Sequence, residues 1–195
     1  MMMNKQISFV TFYLISVFFL TMDVAKAEEA TVNSVEWETY RNEKPGFEVS
    51  YPKNWNLSFG EISYPDITTE GFSLILQPSP EVLQSTGQEF PPSIVIISQD
   101  ISSYEKDWKS VATTYFEDES KGHIFKELKK VKFRRGSALK GVKKIPIEPG
   151  IYLYTNFFPS RDGKWLFNIV LRKFTEGDDY STEIYNKVID SFHFL

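Results

Sequence analysis

The sequence predicts an α+β fold: an antiparallel sheet with helices on its faces. Three observations carry this. Short apolar or alternating runs recur at hairpin spacing, as in Phe72–Gln77, Ser93–Ser98, Ile151–Phe158 and Lys164–Phe174. One helical stripe interrupts them, at Tyr104, Trp108, Val111, Ala112, Tyr115 and Phe116. A second follows the last strand, at Ile184, Tyr185, Val188, Ile189 and Phe192. Strands, helix, strands, helix with short connections place helices against an antiparallel sheet, an α+β sandwich. A chain of 195 residues is of single-domain length.

In chain order, Trp37–Arg41 is a first short strand. Pro45-Gly46 marks a turn, and Phe47, Val49 and Tyr51 then alternate with Glu48 and Ser50, the period of a half-buried strand. Pro52 ends that strand because it has no N–H to give, and Trp55 follows as a large apolar anchor. Asn56–Thr69 alternates weakly around a Tyr64-Pro65-Asp66 turn. Phe72–Gln77 is a strand, and Gln77–Pro92, with Pro78, Pro80, Gly87, Pro91 and Pro92, reads as a long surface loop. Ser93–Ser98 is continuously apolar, as in a sheet covered on both faces.

Ser102 with Glu105 has the form of a capping box for the first helix, and Gly122 ends it. Lys126–Arg135 and Leu139–Ile147 form two strands about a turn at Arg135-Gly136-Ser137, and Glu148-Pro149-Gly150 is a further turn. The Ile151–Phe158 and Lys164–Phe174 strands join through Ser160-Arg161-Asp162-Gly163, with Asp-Gly as the turn pair. The second helix spans Asp178–Asp190, where Asp178 and Asp179 suit the positive N-terminal end. Phe192 and Phe194 anchor the closing segment.

The first 27 residues have the form of a signal peptide. Lys5 is the basic region, Ile7–Leu20 is an apolar run too short for a comfortable span, and Ala25-Lys26-Ala27 is a small-x-small cleavage site. Cleavage is expected after Ala27. A polar, flexible arm (28–35) and one domain (36–195) would follow. Export to the periplasm or beyond is the expectation, and the absence of cysteine fits a chain long enough to fold without disulfides. No later stretch is apolar enough to span a membrane.

Gly46-Phe47, Tyr51-Pro52 and Trp55-Asn56 together resemble the opening signature of the PsbP family, the extrinsic proteins of photosystem II with many bacterial PsbP-like relatives. Gly163-Lys164-Trp165-Leu166-Phe167 and Asp190-Ser191-Phe192-His193-Phe194 resemble that family's end. The resemblance implies an αβα sandwich around a central antiparallel sheet and a non-enzymatic, protein-binding role. The same fold occurs in a nuclear-import factor that binds the GTPase Ran. Photosystem function is not implied, and no metal-binding position of the family maps onto this chain.

Chemistry is sparse. Without cysteine there is no thiol nucleophile or thiolate metal site. His123 and His193 stand alone, with no second histidine at ligand spacing. There is no G-x-S-x-G elbow and no phosphate-binding glycine loop. Glu117-Asp118-Glu119 and Glu176-x-Asp178-Asp179 lack an EF-hand pattern and read as solvated helix ends. No enzyme activity, cofactor or metal is expected.

Charge is the informative feature. The whole chain has a net charge of −4. Lys126–Lys144 nevertheless holds nine basic residues against one acid, Glu127. Lys130, Lys132 and Arg134 would project from one side of the first strand there, with Val131 and Phe133 packing on the other. The candidate binding residues are Lys129, Lys130, Lys132, Arg134, Arg135, Lys140, Lys143 and Lys144. Such a hairpin either guards a sheet edge against aggregation or draws an anionic partner. Nucleic acid does not suit an exported, acidic protein. The expected partner is an unknown protein, with anionic envelope lipid or glycan as the alternative and an unrecognised carboxylate hydrolase last.

Overall fold

The computed structural model describes residues 34–61, 71–86, 90–105, 107–118, 124–133, 136–146 and 150–195, with backbone alone at 61, 118 and 124–127. The expected signal peptide, most of the arm, the Tyr64-Pro65-Asp66 turn, Gly122 and His123 lie outside them.

Among the described residues, ten strands form two antiparallel sheets. The small one has the order β1-β2-β10, from β1 (Trp37–Asn42), β2 (Phe47–Pro52) and β10 (His193–Phe194). The large one has the order β3-β4-β5-β9-β8-β7-β6. Its strands are β3 (Trp55–Glu61), β4 (Gly71–Pro78), β5 (Ser93–Asp100), β6 (Ile124–Phe133), β7 (Gly136–Ile145), β8 (Ile151–Pro159) and β9 (Trp165–Lys173). The helices are α1 (Pro80–Thr86), α2 (Trp108–Asp118) and α3 (Asp179–Ser191). The fold is therefore α+β and mostly antiparallel. The separate small sheet was not expected, because β10 is two residues long and its partner lies far back in the sequence.

Strand alternation sorts the core onto two faces of the large sheet. On the first face Leu74, Leu76, Ile94, Ile96, Phe158, Phe167, Ile169 and Leu171 pack against Phe47, Val49 and Tyr51 of the small sheet and Ile184, Tyr185, Val188 and Ile189 of α3. On the second face Leu139, Phe157 and Leu166 meet Val111, Ala112 and Phe116 of α2. The alternation read for β2 and the stripes read for α2 and α3 are thus the surfaces that are buried. Val35, at the end of the expected arm, also packs against the first core.

Two local expectations are corrected. Helix α2 starts at Trp108, past the Ser102/Glu105 box. Asp107 caps it, its carboxylate accepting from Lys109 N at 2.9 Å, Ser110 N at 3.3 Å and Ser110 Oγ at 2.9 Å. A carboxylate taking three donors outcompetes Ser102, whose own N–H turns back to Asp100. The Gln77–Pro92 segment is not all loop. Ser79 accepts from Val82 N, and Pro80 takes the first helical position, where a missing N–H costs nothing, so α1 forms. At the other capped end, Asp178, expected as the first helical residue with its charge at the positive end, stands just before the helix and accepts from Ser181 N at 3.0 Å. Gly163 has φ +71, the conformation the Asp-Gly turn requires.

Polar groups inside the first core are tied together. The fully buried Tyr185 hydroxyl accepts from Asn156 Nδ2 at 2.6 Å and lies 2.8 Å from Ile169 O and 3.0 Å from Tyr154 O. Burial pushes its pKa well above the usual tyrosine value. Ser50 N donates to Ser191 Oγ at 2.9 Å, fastening the end of α3 to β2. Tyr185→Phe should lower unfolding stability by about 1–3 kcal/mol, because it strands the buried Asn156 amide. Equilibrium denaturation measures this, and an unchanged midpoint would show that the triad contributes nothing. A Cβ at Gly141 would sit 2.7 Å from Phe116 Cε2 and 3.0 Å from Leu128 Cδ1. Gly141→Ala is therefore expected to cost about 1–3 kcal/mol through overpacking beneath α2, read from the same denaturation curves.

Candidate functional site

The basic segment folds as the β6–β7 hairpin, and β6 is the outer strand of the large sheet. The register places Lys129 opposite Lys140, Lys130 opposite Leu139, Val131 opposite Ala138 and Lys132 opposite Ser137. A register shift lies between Lys126 and Lys129. Ala138 belongs to the first core and Leu139 to the second. By alternation Lys129, Lys140 and Lys144 stand on the α3 side, and Lys130 and Lys132 on the α2 side. All five are exposed. The charge does not form one patch but flanks the edge strand on both faces.

Lys143 does not join them. It is 2% exposed, with its Nζ 4.4 Å from the centroid of the buried Phe116 ring. It points inward under α2 because β7 alternation puts it beside Leu139 and Gly141, and its stem packs as an apolar side chain would. It is a structural lysine. Arg134 and Arg135 lie outside the described residues. Lys144 keeps its head near the Tyr152 ring, 5.2 Å from the centroid.

Two lysines directly opposite one another, Lys129 and Lys140, oppose sheet pairing. Exposed lysines on an outer strand guard it against pairing with another strand. The five exposed lysines concentrate positive charge along both faces of this edge.

A second feature lies at one end of the large sheet. Phe133, Gly136 and Ser137 at the hairpin tip, Phe158 to Arg161 at the β8–β9 turn, and Phe192 to Phe194 enclose a cleft of about 510 Å³. Phe133 stacks on Phe158, with centroids 4.9 Å apart and planes 10° from parallel. Phe158 in turn lies 5.3 Å from Phe192. Sequence reasoning singled out Phe192 and Phe194 as anchors only. The cleft is drawn from three parts of the chain, so no local spacing announces it.

His193 lies on the cleft wall. Its Nδ1 is 2.9 Å from Ser191 O, and its Nε2 is 3.3 Å from Glu48 Oε1, while Arg41 Nη1 lies 3.6 Å from Glu48 Oε2. Both ring nitrogens are thereby engaged, one by a backbone carbonyl and one by a carboxylate. Among the described residues no group of three or more metal-ligating side chains occurs. Of the acidic clusters, Asp178 is spent on the α3 cap. Among the described residues no helix is long and apolar enough to cross a membrane.

No family model matches this chain, and neither does any curated protein. Its structure is similar to that of cyanobacterial PsbP (CyanoP) from Synechocystis sp. PCC 6803. The TM-score is 0.55 at 13% identity, over 84% of this chain and 95% of that one. It is also similar to the Saccharomyces cerevisiae Ran-binding protein Mog1p, with TM-score 0.52 and 12% identity over 83% and 96% of the two chains. LpqN of Mycobacterium tuberculosis, involved in cell envelope biogenesis, aligns at a TM-score of 0.46 and 12% identity over 82% and 91%, too weakly to support an argument. Identity this low speaks to architecture alone, and the architecture is PsbP-like.

Proposed function

We propose that the chain is an exported, non-enzymatic accessory protein that binds another protein through the β6–β7 edge. The observation that carries this is the set of five exposed lysines flanking an outer strand in a chain that is acidic overall. An extended acidic segment laid along β6 would gain main-chain hydrogen bonds from the strand and charge pairing from both faces. The fold likeness to a Ran-binding protein supports a binding role without naming the partner. Export rests on residues 1–27 as read above. The layering of α2, the large sheet, and α3 with the small sheet supports the expected αβα sandwich.

A second reading has an observation of its own. Because the lysines face both ways, the hairpin suits a broad anionic surface at its tip, so an anionic envelope lipid or glycan is the alternative.

Crosslinking in the source cells separates the readings. Wild-type protein should capture a reproducible acidic partner, and Lys129→Glu with Lys130→Glu, Lys132→Glu and Lys140→Glu should reduce capture by roughly tenfold. Undiminished capture by the reversed variant would reject the hairpin as the docking surface. Salt-sensitive binding to phosphatidylglycerol vesicles, with no captured protein, would favour the alternative.

A further inference from the structure

We propose that the cleft at the β6–β7 and β8–β9 tips is a binding site for a small amphiphilic carboxylate, an apolar chain or ring bearing one anionic group. Its walls fit the two halves of such a molecule. Phe158 and Phe192 are almost fully buried and form the floor, while Phe133 and Phe194 are half-buried and flank it. A cavity of about 510 Å³ falls within the range of small-molecule sites, which are apolar with a few placed polar groups.

The polar end is set by Arg161, an exposed side chain on the rim. Among the described residues it has no ion-pair or hydrogen-bond partner, so its fork is available to a carboxylate. The nearby acids do not compete for it. Asp162 accepts from Ser160 Oγ at 2.6 Å and Lys164 N at 3.1 Å within its own turn. Glu48 does not line the cleft and is held between His193 and Arg41. An aromatic trough with the unengaged Arg161 guanidinium among its described lining selects for an anion with an apolar body, and against a cation or a purely polar solute.

The lysines of the β6–β7 edge do not line this cleft. The inference therefore does not rest on the docking surface proposed above, and either can fail alone.

The geometry also supplies a clean obstruction. Gly136 pairs with Phe133 across the hairpin, and a Cβ there would meet nothing closer than Phe133 O at 3.7 Å. A tryptophan grown from this open Cβ position is expected to project over the floor. Calorimetric titration of the full chain with decanoate below its micellar concentration is expected to show a saturable site. Gly136→Trp should remove it without changing the melting temperature, and Arg161→Glu should weaken it by about tenfold or more. Should Gly136→Trp fold poorly, Ser137→Trp replaces it. Decyltrimethylammonium should not compete. Amide resonances of Gly136, Ser137 and His193 should shift with decanoate. The proposal is overturned by no saturable heat, by decanoate binding that both tryptophan variants retain, by indifference to Arg161→Glu, or by equally tight binding of the cationic amphiphile.

Discussion

The stack of Phe47 on Phe192 is the contact on which the rest of the structure depends. Their centroids lie 5.4 Å apart with planes 22° from parallel, and both rings are fully buried. Phe47 belongs to the small sheet and Phe192 caps α3. Each also meets Phe167 of the large sheet, Phe47 edge-on at 5.7 Å and Phe192 at 5.3 Å. Three elements distant in sequence thus converge on one aromatic cluster, where each ring buries a large apolar area and gains further from tilted and edge contacts. The neighbouring Ser50–Ser191 hydrogen bond fixes the register of this meeting, since aromatic packing alone would allow sliding.

Much of this was legible in the sequence, and the reasons are physical. Phe47, Val49 and Tyr51 read as a buried strand face because period two leaves no other face for them. The α3 stripe read correctly because five apolar positions at helical spacing have one way to be buried. The acidic start of α3, Asp178 and Asp179, was visible because the pull of a helix N-terminus on a carboxylate is local. What escaped was either a competition between neighbours or a product of topology. Asp107 won the start of α2 over Ser102 through three donors that only the folded turn brings together. Helix α1 hid inside a proline-rich stretch because Pro80 is favourable at a first helical position and a breaker elsewhere.

The candidate sites divide the same way. The lysine content of β6–β7 was plain, but its distribution was not. Alternation across a two-faced strand splits Lys129, Lys140 and Lys144 from Lys130 and Lys132, and it drives Lys143 into the core against Phe116. A sequence count treats all of them as one patch; the pleat treats them as three environments. The aromatic cleft was invisible, since Phe133, Phe158, Phe192 and Phe194 come together only once the hairpin tips and the closing strand meet.

The 141-residue separation between Ser50 and Ser191 has a kinetic side. A chain emerging from a ribosome or a pore presents Phe47 early and Phe192 late. Until the later segment arrives, the inner face of β2 has no lid, and the first core cannot seal. Local hairpins such as β8–β9 can form meanwhile, but the aromatic hub waits. Such long-range closure makes for slow consolidation, because the loop between the two segments must close before their contacts repay it.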